Sequence, residues 1–122
     1  MQFALLMYEP REAWIERDRD DNSPYLAAWQ VVANAISEAG VFVSGENLAM
    51  PETGTTVRMR EGRRGLQDGP YADTKEELAG FAILELASLD EAIEWAARCP
   101  AASVGAVEVR PIDPESKKRI TG

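Results

Sequence analysis

The residues best suited to chemistry in this chain begin at Asp68, which is followed directly by Gly69 and Pro70. Aspartate bonds its own backbone two residues on, glycine tolerates unusual φ and proline fixes the next φ, so the triplet builds a tight turn. A carboxylate presented by such a turn at the mouth of a cavity is also a candidate general acid or base. Burial there would raise its pKa toward the working range. Both readings stand on the residues alone. Asp73, Lys75 and Glu76 follow within one turn's reach. They form either a surface ion-pair cluster of little energetic weight or a site in which Lys75 neutralises an anionic group while Asp68 moves a proton. Glu85, Glu108, Arg58 and Arg110 interrupt otherwise apolar stretches. Charges on buried strands must be paired, which predicts salt bridges between strands or subunits. A polar pocket at a sheet interface is the alternative.

Several other chemistries are excluded or disfavoured. The chain has no histidine, which removes the commonest general base and the commonest metal ligand. Asp18, Asp20 and Asn22 imitate the start of a calcium loop, but Ser23 stands where glycine is required and Trp29 where the bidentate glutamate belongs. No metal is expected. Cys99 is alone, so no intrachain disulfide forms, and without a histidine to activate it the residue is a packing group before it is a nucleophile. The glycines match neither a phosphate-cradling loop nor a dinucleotide fingerprint, and no cofactor is expected. A formal net charge of −8 opposes direct binding to nucleic acid, despite the short basic runs at 58–64 and 117–119.

The elements that must position these residues are legible from periodicity and punctuation. At 122 residues the sequence suits a single domain over 1–122, with enough apolar content for a core. Residues 2–8 are apolar on both alternating faces, as in a central strand. Residues 9–22 turn polar and read as loop, with a short helical turn around Trp14. Ser23 and Pro24 cap a helix over 24–39 that Gly40 stops, with Trp29 on its core face. Strands follow over 41–49 and 55–60. Residues 62–70, rich in glycine, read as a long loop, itself a functional suspect by length. A strand over 80–87 leads into a second helix capped by Ser88 and Glu91, with Trp95 in the core and Pro100 as its end. A last strand over 104–110 precedes a polar tail expected to fray. With one strand set aside as a hairpin elaboration, the order is βαββαβ. The expected architecture is α+β: a ferredoxin-like antiparallel sheet with two helices on one face. The other face requires cover, and a second copy of the chain is the commonest solution by symmetry. The apolar run at the N-terminus is too short for a membrane span or signal core, so a cytoplasmic location is expected.

The ordered series Leu66, Asp68, Gly69, Pro70, Tyr71, Asp73, Lys75, Glu76, Leu78, Gly80 and Phe81 resembles the signature of the YCII-related family in its DGPF branch. The flanks agree: Gly45, Glu46, Leu48 and Pro51 before it, then Asp90, Glu91, Ala92, Trp95, Ala96, Cys99 and Pro100, and finally Glu108 to Pro111. The resemblance implies a ferredoxin-like fold that pairs into a dimeric α/β barrel. Genes of such proteins often lie near those of alternative sigma factors. Wider relatives are thought to use a His–Asp pair, which this sequence excludes for lack of histidine. Tyr71 stands where phenylalanine is usual and adds a hydroxyl.

Two functions are therefore carried forward. One is a cofactor-free enzyme acting on a small polar metabolite in a cleft at a homodimer interface. In it Asp68 is the acid/base, Lys75 or Arg110 holds substrate charge, and Gly69, Pro70, Tyr71, Asp73 and Glu85 complete the binding site. The other is a non-catalytic metabolite-binding or protein-docking regulatory module, associated with sigma-factor-dependent transcription, in which Asp68 only builds a turn.

Overall fold

A computed structural model of the chain describes residues 1–18 and 23–122. Asp20 and Asn22, weighed above as calcium ligands, lie outside the described residues. Strand β1 (Gln2–Pro10) is central, paired antiparallel with β5 (Glu76–Glu85) on one side and β6 (Ala106–Pro111) on the other. Strand β2 (Phe42–Asn47) pairs with β5 and completes a four-stranded sheet of order β2-β5-β1-β6. With helices α2 (Pro24–Ala39) and α3 (Leu89–Arg98) as the crossovers, this is the ferredoxin-like arrangement expected from the sequence.

Burial along β1 alternates strictly. Phe3, Leu5 and Met7 are buried against Val32 and Ile36 of α2 and Ala92 and Ala96 of α3, so both helices cover one face. The register places Leu6, Tyr8, Phe81, Ile83, Glu108 and Arg110 on the opposite face. There Leu6, Tyr8, Phe81 and Ile83 are only half-buried. Helix starts follow local chemistry. The Ser23 hydroxyl accepts from the Leu26 N–H, Pro24 opens α2, and Gly40 closes it at φ 70°. Ser88 accepts from the Glu91 N–H, and Glu91 reaches back to accept from the Ala87 N–H.

Three expectations are corrected. Residues 9 and 10 extend β1, and 11–18 form a full helix, α1 (Arg11–Asp18), because Trp14 is buried and anchors it to the body. Residues 62–70 are not a long loop: β4 (Arg63–Asp68) pairs with β3 (Thr55–Arg60) as a separate two-stranded hairpin. Glu61 and Gly62, at φ 51° and 75°, supply the two left-handed residues of a tight turn. The tail is helical from Pro114 to Thr121 (α5, after the short α4, Ala101–Val104), because the Asp113 carboxylate caps it and Pro114 fits the first turn.

Candidate functional site

The ends of β1, β4 and β5 meet at one edge of the main sheet and enclose a cavity of about 430 Å³. Its walls come from Glu9 at the end of β1, Arg11 and Trp14 on α1, Pro51 and Glu52 on the 3₁₀ turn Pro51–Thr53, and Asp68 to Pro70, Asp73 to Lys75 and Glu77. The sequence-selected residues Asp68, Gly69, Pro70, Asp73 and Lys75 all line it. Gly69 adopts φ 95°, which few residues but glycine tolerate, and its N–H donates to the Gly54 carbonyl at 2.8 Å. This bond closes the hairpin at its root and presents Asp68 beside the cavity.

A register irregularity between Met7 and Tyr8 in the β1–β5 pairing inserts one extra residue into β5, so Glu77 opposes Glu9. A bulge of this kind re-aims the side chains beyond it. Glu77 is then fixed by the Thr74 N–H, which donates to its carboxylate at 3.2 Å, while the Thr74 hydroxyl donates to the Glu76 carbonyl at 2.7 Å. Arg11 is engaged by Glu52 at 2.8 Å. The Glu52 carboxyl is held below its ordinary range by its own backbone N–H and then by Arg11. Asp68, Asp73 and Lys75 have no hydrogen-bond or ion-pair partner among the described residues. The cavity thus offers two unengaged carboxylates and one unengaged ammonium.

Sequence reasoning missed Glu9, assigned to a loop above. At 1% exposure it is the one buried acidic residue among those described. The Tyr25 hydroxyl donates a short hydrogen bond to it, and the Arg17 guanidinium lies 3.4 Å from its other oxygen. Burial, and then this hydrogen bond, push the Tyr25 phenol well above its usual range. Arg17 also stacks over the Trp14 ring at 5.4 Å, and both residues donate to the Leu48 carbonyl. The alternation of β1 carried on two residues further, through Met7 to Glu9, would have flagged the inward position.

Other sequence-selected residues lie elsewhere. Asp68 is exposed in the single chain, so the burial expected of it is not supplied by the chain alone. Tyr71 is exposed, with the Arg58 guanidinium stacked 5.0 Å from its ring centre, outside the cavity wall. Glu85 and Arg110 are also exposed and do not line the cavity. Glu85 pairs with the Met1 ammonium at 2.5 Å, and Arg110 with Glu108 at 3.3 Å. Glu108 also accepts from the Tyr8 hydroxyl, whose pKa is raised by partial burial and then by Glu108. A second, more apolar cavity of about 560 Å³ lies between α2 and the β2–β5 edge, walled by residues including Met7, Trp29, Val32, Phe42 and Phe81. Cys99 is buried and Trp29 and Trp95 pack against the core, in line with packing roles.

Known proteins share both fold and sequence with this chain. In a solved structure with a TM-score of 0.51 and 18% identity, 5-chloro-2-hydroxyhydroquinone dehydrochlorinase (TftG) from Burkholderia phenoliruptrix AC1100 is in complex with 2,5-dihydroxybenzoquinone. The match covers 93% of this chain and 94% of that one, and at this identity it speaks to fold alone. The likeness agrees with the ferredoxin-like α+β fold described above. The YCII-related domain profile matches residues 1–116, and the chain belongs to that family. An uncharacterised protein of Rhizobium meliloti (strain 1021) is 32% identical over 114 residues, covering 92% of both chains. No helix among the described residues is long and apolar enough to cross a membrane.

Proposed function

We propose that this chain works as a one-domain homodimer that binds, and chemically transforms without a cofactor, a small polar molecule at the Asp68–Lys75 cavity. The observation that carries the reading is convergence. Asp68, Gly69, Pro70, Asp73 and Lys75 share one cavity with the buried Glu9, and the charges of Asp68, Asp73 and Lys75 have no side-chain partner among the described residues. Acidic groups dominate the lining, so ligand hydroxyl or amine donors meet Asp68 and Asp73, and Lys75 meets an acceptor. Asp68 is the acid/base. Its activation requires burial, which ligand and partner would bring. Tyr71, Glu85 and Arg110 enter only through the assembled dimer, the last two from the open sheet face. The dehydrochlorinase with its bound quinone supports the idea that this fold hosts small-molecule chemistry, though fold analogy cannot name a substrate.

The half-buried face formed by Leu6, Tyr8, Phe81 and Ile83 supports pairing with a second copy. The net charge of −8 and the lone cysteine support a cytoplasmic protein that does not bind nucleic acid directly.

The test is a thermal-shift screen of small polar metabolites against wild type, Asp68→Asn and Lys75→Gln. A compound that stabilises wild type through the folded state, but neither equally well-folded variant, is the expected result and sets the chemical class for turnover assays. Stabilisation that both variants retain would refute the assigned roles. A panel without hits would turn the reading toward the docking module.

A further inference from the structure

Among the described residues the hairpin β3–β4 has no extensive packing on the main sheet or the helices, and none of its residues is fully buried. A lone two-stranded hairpin is marginally stable in water. This one also carries features that are unfavourable in isolation. Val57 and Leu66 sit directly opposite one another with Met59 beside them on the same face, and they are 57%, 64% and 56% exposed. At the tip Arg60 opposes Arg63, a like-charged cross-strand pair, with Arg64 next to it. Arg63 and Arg64 have no ion pair among the described residues, and Arg60 donates only to its neighbour's carbonyl. The opposite face is held at the root, where Arg58 stacks on Tyr71 and the Thr56 hydroxyl donates to the Gly69 carbonyl at 3.0 Å. One face is therefore tethered and the other awaits cover.

Charge identifies what covers it. Residues 55–68 hold four arginines against two carboxylates, a net of +2. The whole chain has 13 basic and 21 acidic residues, so the remainder is ten charges negative. We infer that the hairpin is an arm that docks on a second copy of this chain, its Val57–Met59–Leu66 face packed against that copy and its arginine tip on the copy's acidic body. Two-fold symmetry makes the contact reciprocal, so two arms and two acidic bodies are satisfied together. The inference rests on the homodimer proposed above and deepens it. Asp68 and Gly69 are the hairpin's root and also line the cavity, so arm docking fixes part of the site wall. Pairing and ligand binding are thereby coupled.

The experiment combines sedimentation velocity with amide hydrogen exchange on the full chain. It compares wild type, an Arg60→Glu/Arg63→Glu double variant and a Val57→Thr/Leu66→Thr double variant. Circular dichroism checks that each keeps its fold, since the arm lies outside the core. A dimer is expected for wild type, with exchange over 55–68 slowed at dimeric concentrations. Charge reversal should weaken dimerisation about tenfold or more, as removal of complementary interfacial charge does, and added salt should weaken the wild type in the same direction. The threonine variant should weaken it without the salt dependence changing. A monomeric wild type would overturn both the homodimer and the arm. A dimer whose arm exchanges freely, with both variants pairing like wild type, would overturn the arm alone and leave sheet-face pairing standing. Slowed exchange that appears only with added nucleic acid would also overturn it.

Discussion

Replacing Arg17 by methionine tests whether the buried carboxylate at the cavity belongs to the scaffold or to the site. Glu9 is 1% and the Arg17 side chain 10% exposed, and their nearest atoms are 3.4 Å apart. Arg17→Met keeps most of the apolar stem over Trp14 but leaves the Glu9 carboxylate with Tyr25 as its only side-chain partner among the described residues. Removing one member of a buried pair costs about 3–5 kcal/mol. The surviving Tyr25 bond places this case near the lower end, about 3 kcal/mol. That corresponds to a fall in Tm of roughly 10 °C for a chain of this length. Glu9→Gln keeps an acceptor for Tyr25 and leaves the guanidinium Asp18, 3.1 Å away, and the Leu48 carbonyl, so its cost is smaller, about 1 kcal/mol.

The double variant carries the argument. With both charges gone neither is stranded, so its loss should fall short of the summed single losses by about 1.5–3 kcal/mol. Urea unfolding followed by circular dichroism, at one fixed protein concentration because the stability of the proposed dimer would depend on it, gives the three values. Losses that add within about 0.5 kcal/mol would refute the coupling. A Glu9→Gln chain as stable as wild type would instead release Glu9 from a structural role and place it with the cavity's working carboxylates.

Burial pushes the Cys99 thiol up to about 11, so iodoacetamide should leave it unmodified in the native protein near neutral pH and modify it readily in denaturant. The fold favours the neutral thiol. Its contribution is therefore complete below the unfolded value of 9.0 and is lost as pH rises from there toward about 11. Cys99→Ala should flatten the alkaline fall in stability over that window, as read from urea midpoints against pH. A Cβ built on Gly105 would lie 2.1 Å from the Tyr8 carbonyl oxygen. Gly105→Ala should accordingly cost about 3 kcal/mol in the same assay, by forcing β6 away from β1. An unchanged midpoint would show that the two strands give way easily there.

The main sheet and both crossover helices were legible because their signals are local and redundant. Ser23, Pro24 and Gly40 bracket α2 from both ends, and the apolar run of β1, two-sided at residues 3–8, needs no tertiary information. Strand β4 was not legible. Arg63, Arg64, Gly65 and Gln67 have low strand propensity, and the pairing that makes them a strand comes from β3 and the left-handed turn at Glu61 and Gly62. Helix α1 was hidden for a related reason. Its polar composition resembles a loop, and what holds it is the buried pair Ala13 and Trp14, with Arg17 across the Trp14 ring.

The candidate site divides along the same line. Asp68, Gly69 and Pro70 announced themselves because turn chemistry is written in consecutive residues, and Asp73 and Lys75 lay within reach of that turn. Glu9 did not, because its role depends on Tyr25 and Arg17, which arrive from different elements. Glu85 and Arg110 were chosen as charges on strands, and on strands they lie, but facing away from the cavity. Their exposure follows from the parity of β5 and β6 against β1, which a sequence fixes only once the register is known. The same parity gives the open face its mixed character. Leu6, Phe81 and Ile83 supply apolar area, while Glu85, Glu108 and Arg110 supply charge that can be satisfied across a two-fold axis. A partner that buries this face must satisfy those charges, and an identical chain, as proposed above, would bring both signs.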